Sequence, residues 1–170
     1  MTRRIALISL VLAWFAAAPA MAQSSPACKP LFDAMIKAAT TPNHATSTMS
    51  NPPTVSETIT AGGVIYLKIS GAWKKSPMTP QAMAQQQVDN IKNSKSTCNQ
   101  LPDERVDGAP AAVYTLHNET PDVGASDSKV WISRATGLPL RSEGDVGGGA
   151  DKMHISTKFD YASITAPIVK

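Results

Sequence analysis

Val130-Trp131-Ile132-Ser133-Arg134-Ala135-Thr136-Gly137-Leu138-Pro139-Leu140-Arg141-Ser142-Glu143 reads as strand, turn, strand. Lys129–Arg134 holds β-branched and aromatic residues, Ala135-Thr136-Gly137 supplies a turn, and Leu138–Glu143 resumes the extended run. A Gly-rich loop at 144–150 then leads into the longest alternation in the chain, Lys152–Tyr161. There Met153, Ile155, Thr157, Phe159 and Tyr161 fall on one face, and Lys152, His154, Ser156, Lys158 and Asp160 on the other. Strands joined by short turns in this way predict an antiparallel meander.

The same pattern extends upstream. A strand near Asn99–Val106 turns at Asp107-Gly108 into Ala111–His117, and 118–127 reads as a polar loop. Earlier still, Ala61-Gly62-Gly63 joins Val55–Thr60 to Val64–Ser70, where Ile65, Leu67 and Ile69 share one face. Gly71–Met78 breaks the alternation. Residues 40–53, built of Thr, Ser, Asn, His and Pro, read as a loop.

Two segments carry helical signals. Leu31, Phe32, Met35, Ile36 and Ala39 make one apolar stripe over 29–39, with Pro30 in the first turn. Thr79 before Pro80 is a capping hydroxyl followed by a first-turn proline, and predicts a helix over about 80–95. Its apolar face is thin (Met83, Ala84, Val88, Ile91), so it should cover something rather than build the centre of a core. The expected class is α+β: a long antiparallel sheet with two helices and no second domain.

The N-terminus predicts export. Arg3 and Arg4 precede an apolar run from Ile5 to Ala18, and Ala20-Met21-Ala22 offers small residues at a cleavage site. The run is about fourteen residues, short of the roughly 20 that span a bilayer, so residues 1–22 read as a cleavable signal and not a stable membrane anchor. Cys28 lies too far past the site, behind Ser25-Pro26-Ala27, to be a lipidated cysteine. The expected mature chain is a single domain, 23–170, working in the periplasm. Two of the 16 Lys and Arg and none of the 13 Asp and Glu fall in the leader, so the formal charge drops from +3 to +1 on cleavage. Nucleic-acid binding is therefore not expected.

The two cysteines, Cys28 and Cys98, favour a disulfide in an oxidising compartment, closing a loop of about 70 residues that chain entropy values at roughly 4 kcal/mol. Such a bond would tie the start of the first helix to the end of the second and set both on one sheet face. Catalytic and metal signals are weak. His44, His117 and His154 have no companion at ligand spacing. No serine sits in a nucleophile elbow, and the Gly144–Gly149 run lacks the lysine and hydroxyl of a phosphate loop. No cofactor, no metal and no enzymatic activity are expected.

The strand–turn–strand over 130–143 resembles the W-I-x-x-x-T-G-L-P-L-R segment of the periplasmic lipoprotein carrier LolA and its relatives. Thr157–Tyr161 followed by Ala166-Pro167-Ile168 resembles that family's F-x-Y … A-P-I ending. The order of elements is similar over about 29–168. The resemblance implies an incomplete, half β-barrel covered by helices, with a cavity for lipid or lipoprotein acyl chains. Ile65, Leu67, Ile69, Trp131 and Phe159 from strands, and Met83, Val88 and Ile91 from the second helix, are the candidate lining. Two functions follow: a non-enzymatic carrier of a hydrophobic ligand, or a cell-envelope protein-interaction module, a regulator or accessory factor, on the same fold with no ligand cavity.

Overall fold

The computed structural model describes residues 24–120, 124–147 and 152–169. The expected signal segment, and residues 148–150 of the Gly-rich run, lie outside the described residues. After a short 3-10 turn at Pro26–Cys28, the elements are α1 (Lys29–Thr40), β1 (Asn43–Ser50), β2 (Pro53–Ala61), β3 (Val64–Ile69) and β4 (Ala72–Lys75). Then follow α2 (Pro80–Asn93), β5 (Lys95–Val106), β6 (Ala109–Thr120), β7 (Gly124–Ser133), β8 (Pro139–Val146) and β9 (Met153–Asp160). Among the described residues, the nine strands join one antiparallel sheet in the order β4-β3-β2-β1-β9-β8-β7-β6-β5. The edges, β4 and β5, do not pair with each other, so the barrel stays open. Both helices and the antiparallel sheet stand as the sequence predicts.

The chain passes from β4 to β5, one edge to the other, through α2 alone. A flat nine-stranded sheet is about 38 Å wide, whereas a fourteen-residue helix is about 21 Å long. The short linkers on either side would have to be fully stretched to cover the rest. Curling the sheet brings the edges within reach, and α2 bridges the open side.

The hairpins are set by residues that tolerate positive φ. Gly62-Gly63, Ser70-Gly71 and Asp107-Gly108 all take left-handed values at both central positions, the two-residue turn that suits twisted antiparallel strands. The third of these is the turn predicted from Asp107-Gly108. The second explains a departure: β4 lies in the segment read as a break, because Ser70-Gly71 folds Ala72–Lys75 straight back on β3.

The larger departure is β1. Residues 40–53 were expected as loop on polar composition, yet Asn43–Ser50 is an inner strand between β2 and β9. Its threonines are good strand formers. Neither of its faces is fully buried, so no apolar alternation marks it. Similarly, β6 runs on to Thr120 and β7 begins at Gly124, shortening the expected 118–127 loop.

Register divides the sheet into two faces. On the face under α1, Leu31 and Ala34 pack against Ala112, Tyr114, Val130 and Ile132. Alternation carries this inner face to Ile155 and Phe159 on β9, Ala45 and Met49 on β1, and Ile65 and Leu67 on β3. The outer face has its own small cluster of Ala111, Val113 and Trp131. Cys28 and Cys98, both buried, form the expected disulfide, which fixes the start of α1 to β5 just beyond α2.

Candidate functional site

α2 rests on α1. Thr79 caps it, its hydroxyl accepting from the Ala82 amide at 3.1 Å, and Pro80 is its one fully buried residue. Met83, Ala84, Val88 and Ile91 are only half-buried. The far end is tied down by Ser24, whose hydroxyl donates to the Ile91 carbonyl at 3.3 Å, and by the neighbouring disulfide. Among the described residues, the buried Oε1 of Gln87 has no hydrogen-bond partner. A helix held at both ends, with no apolar side chain fully buried between them, is loosely seated.

Between the helices runs an apolar groove of about 350 Å3, floored by Pro26, Phe32, Ile36, Val88 and Ile91. Lys29, Asp33 and Lys92 stand at its rim, with Lys29 paired to Asp33 at 2.6 Å. The volume is within the range of small-ligand sites, about 300–1,000 Å3. Between α1 and the sheet, Leu31 and Ala34 pack on Ala112, Tyr114, Val130 and Ile132, and a second open groove of about 370 Å3 runs along that contact past Pro30, Asp33, Lys37 and Arg134.

The candidate lining residues fall in three places. Val88 and Ile91 line the interhelical groove, with Met83 farther toward the start of α2. Ile65, Leu67, Ile69 and Phe159 lie on the inner sheet face: Ile65 is fully buried, Leu67 and Phe159 half-buried, and Ile69 exposed. Trp131 points the other way. On the outer face its Nε1 donates to Glu104 at 2.7 Å, and Lys129 and Arg141 flank its ring. Phe32 and Ile36 complete the groove. The helical stripe already marked them as apolar; that they also face α2, Phe32 from the margin of the sheet–helix core, was hidden.

The outer face is polar and internally paired. Lys129 at 2.7 Å, then Trp131, hold Glu104 below the usual carboxylate range. Lys68 and His44 do the same for Glu57, despite some opposing desolvation. His117 on β6 and His154 on β9 each bond a carboxylate across strands, a pairing set by strand register that local pattern does not report. On the inner side, burial pushes the Tyr161 phenol up, and its hydroxyl donates to the Pro139 carbonyl at 2.9 Å. Among the described residues, no group of three or more His, Cys, Asp or Glu is placed to hold a metal ion. Nor is any helix there long and apolar enough to cross a membrane.

No family model matches the chain, and no curated protein matches it. Among solved structures it is similar to LprF from Mycobacterium bovis, with 11% identity over 85% of this chain and 97% of that one and a TM-score of 0.49. It is also similar to the lipoprotein LppX of Mycobacterium tuberculosis, with 11% identity, 78% and 92% coverage and a TM-score of 0.46. MucB follows, with 16% identity over 82% of this chain and 60% of that one, at a TM-score of 0.41. These likenesses concern the fold alone. By its own strand order the chain is an open, curved nine-stranded antiparallel sheet with two helices, the α+β class that the sequence predicts.

Proposed function

We propose that this chain binds and carries a hydrophobic ligand, a lipid or a lipoprotein acyl chain, without chemical conversion. The observation that carries the reading is α2. It presents Met83, Val88 and Ile91 on a surface where none is fully buried, beside a groove of about 350 Å3 lined by Phe32 and Ile36. An acyl chain in that groove would cover apolar surface that the fold leaves half wet, at about 0.8 kcal/mol per buried methylene. Ile65, Leu67, Ile69 and Phe159 would extend the apolar path onto the sheet. The working location is the periplasm, after cleavage near Ala22, where the Cys28–Cys98 bond persists.

The test is binding of an apolar fluorescent probe to delipidated protein, together with lipid extraction from material purified from the periplasm. Ile91→Asp and Val88→Asp should each weaken probe binding about tenfold or more, since a buried aliphatic side chain contributes roughly 1.5–3 kcal/mol. Extraction that yields no lipid, with no probe binding, overturns the reading.

A second reading, an envelope interaction module, is favoured by the packing of Leu31 and Ala34 on Ala112, Tyr114, Val130 and Ile132, which leaves an open side groove and not an enclosed cavity between α1 and the sheet. It would be supported if the Ile91→Asp surface lost a protein partner while no lipid bound to either form.

A further inference from the structure

A row of titratable side chains on the outer face is not used by ligand binding. His117 on β6, Asp127 on β7, Asp145 on β8 and His154 on β9 occupy successive register positions across four strands. The side chains close the row: His117 Nδ1 lies 2.7 Å from Asp127 Oδ1, and His154 Nδ1 lies 2.9 Å from Asp145 Oδ1. They border a shallow polar groove of about 440 Å3. At its centre, two carboxylates stand directly opposite each other across β7 and β8, a placement that destabilises a strand pair unless it is compensated.

The compensation is unequal. Other charges that face the row are Lys95 from β5, Glu119 from β6, Lys129 from β7, Glu143 from β8 and Lys152 from β9. Lys152 reaches Asp145 at 3.0 Å. Lys95 pairs with Glu119, Lys129 with Glu104, and Arg141 with Glu143. Among the described residues, Asp127 has His117 as its ion-pair partner. His117 meanwhile presents Nε2 to Glu119 at 3.5 Å. Its two nitrogens face different carboxylates, an arrangement that takes protons and not a metal ion.

We propose that the His117–Asp127–Asp145–His154 row is a proton-dependent clasp: the charged His117 imidazole holds Asp127 against the facing Asp145 and keeps the β7–β8 ends paired, and deprotonation of His117 loosens that end of the sheet. Asp127, with Glu119 assisting, raises the His117 imidazole above its ordinary 6.5. Its stabilisation is therefore complete below 6.5 and lost as pH rises through the higher folded-state value. On the acid side, His154 and Lys152 hold Asp145 below its ordinary 3.8, so that contribution persists until pH falls through the lowered value. The clasp is closed below 6.5 and opens as pH rises through the raised folded-state value of His117.

Hydrogen exchange of the full chain, corrected for intrinsic rates and run with a chelator present, tests this at pH 5.5 and 8.0. Amides of 124–128, 143–146 and 153–156 should lose roughly three- to tenfold protection at the higher pH, relative to those of β2 and β3. The paired change His117→Asn with His154→Asn should give low protection at both pH values. Asp127→Asn, which removes one of the facing charges, should restore protection at pH 8.0 and keeps the test open if the histidine variant fails to fold. Equal protection of the native chain at the two pH values overturns the clasp, and so does a native-like response of Asp127→Asn.

Discussion

Removing the Cys28–Cys98 bond should lower stability by about 4 kcal/mol. The bond joins residues separated by 70 positions, and the segment it closes contains α1, β1 to β4 and α2. With a loop of that length, the chain-entropy relation gives about 4.4 kcal/mol at 25 °C, an upper figure because denatured chains retain structure. Cys28 is fully buried and Cys98 nearly so, at 0% and 4% exposure, so the double change Cys28→Ala with Cys98→Ala removes the crosslink without leaving a free thiol. Urea denaturation, followed by circular dichroism at fixed pH, reads the effect. For an m-value of about 2 kcal/mol per molar, the midpoint should fall by roughly 2 M. The loss should also show locally, since the bond and Ser24 anchor the end of α2. A midpoint shift below about 0.5 M, with m unchanged, would refute the reasoning: the two helices would then be held by packing alone.

Two further outcomes follow from local geometry. At Gly144, an added Cβ would lie 2.8 Å from the Asp127 carbonyl oxygen and 2.9 Å from Ser128 Cβ, so β7 and β8 must part. Gly144→Ala should cost roughly 1–3 kcal/mol, seen as a lower thermal midpoint, and a midpoint equal to that of the native chain would contradict the close approach. Thr79→Ala removes the cap hydroxyl of α2 and should cost about 1 kcal/mol, appearing first as faster amide exchange within 80–93 and only later in global unfolding.

How far the sequence spoke depends on which physical signal each element needed. The two helices were legible because their boundaries are chemical: Pro30 in the first turn of α1, and Thr79 with Pro80 at the start of α2. The turns Gly62-Gly63 and Asp107-Gly108 were legible because few residues accept their backbone angles. β1 was hidden because strand periodicity reports burial on one face, and neither of its faces is fully covered. Trp131 and Phe159 both lie on strands, and alternation within a strand cannot say which side a helix will cover. Only the register from β6 to β9 places one outside and the other inside. The His–Asp row was invisible for the same reason, since cross-strand neighbours are set by turn lengths that local pattern does not report.

The inner face itself constrains where an acyl chain can go. Under α1 it is apolar, with Ala112, Tyr114, Val130 and Ile132 packed against the helix. In line with Val130, the next four strands present Ser142, Thr157, Ser47 and Ser56 at paired register positions. One bond in this row, Ser47 Oγ to Thr157 Oγ1 at 2.8 Å, satisfies two of the hydroxyls. Covering the others with hydrocarbon would strip water from hydroxyls at about 1–3 kcal/mol for each left unpaired, enough to cancel the gain from one to several methylenes. The groove between α1 and α2 carries no such penalty on its floor, where Phe32, Ile36, Val88 and Ile91 meet. Hydrocarbon therefore belongs first between the helices, and a ligand that continued onto the open half of the sheet would have to bring polar atoms of its own to the Ser47–Thr157 row.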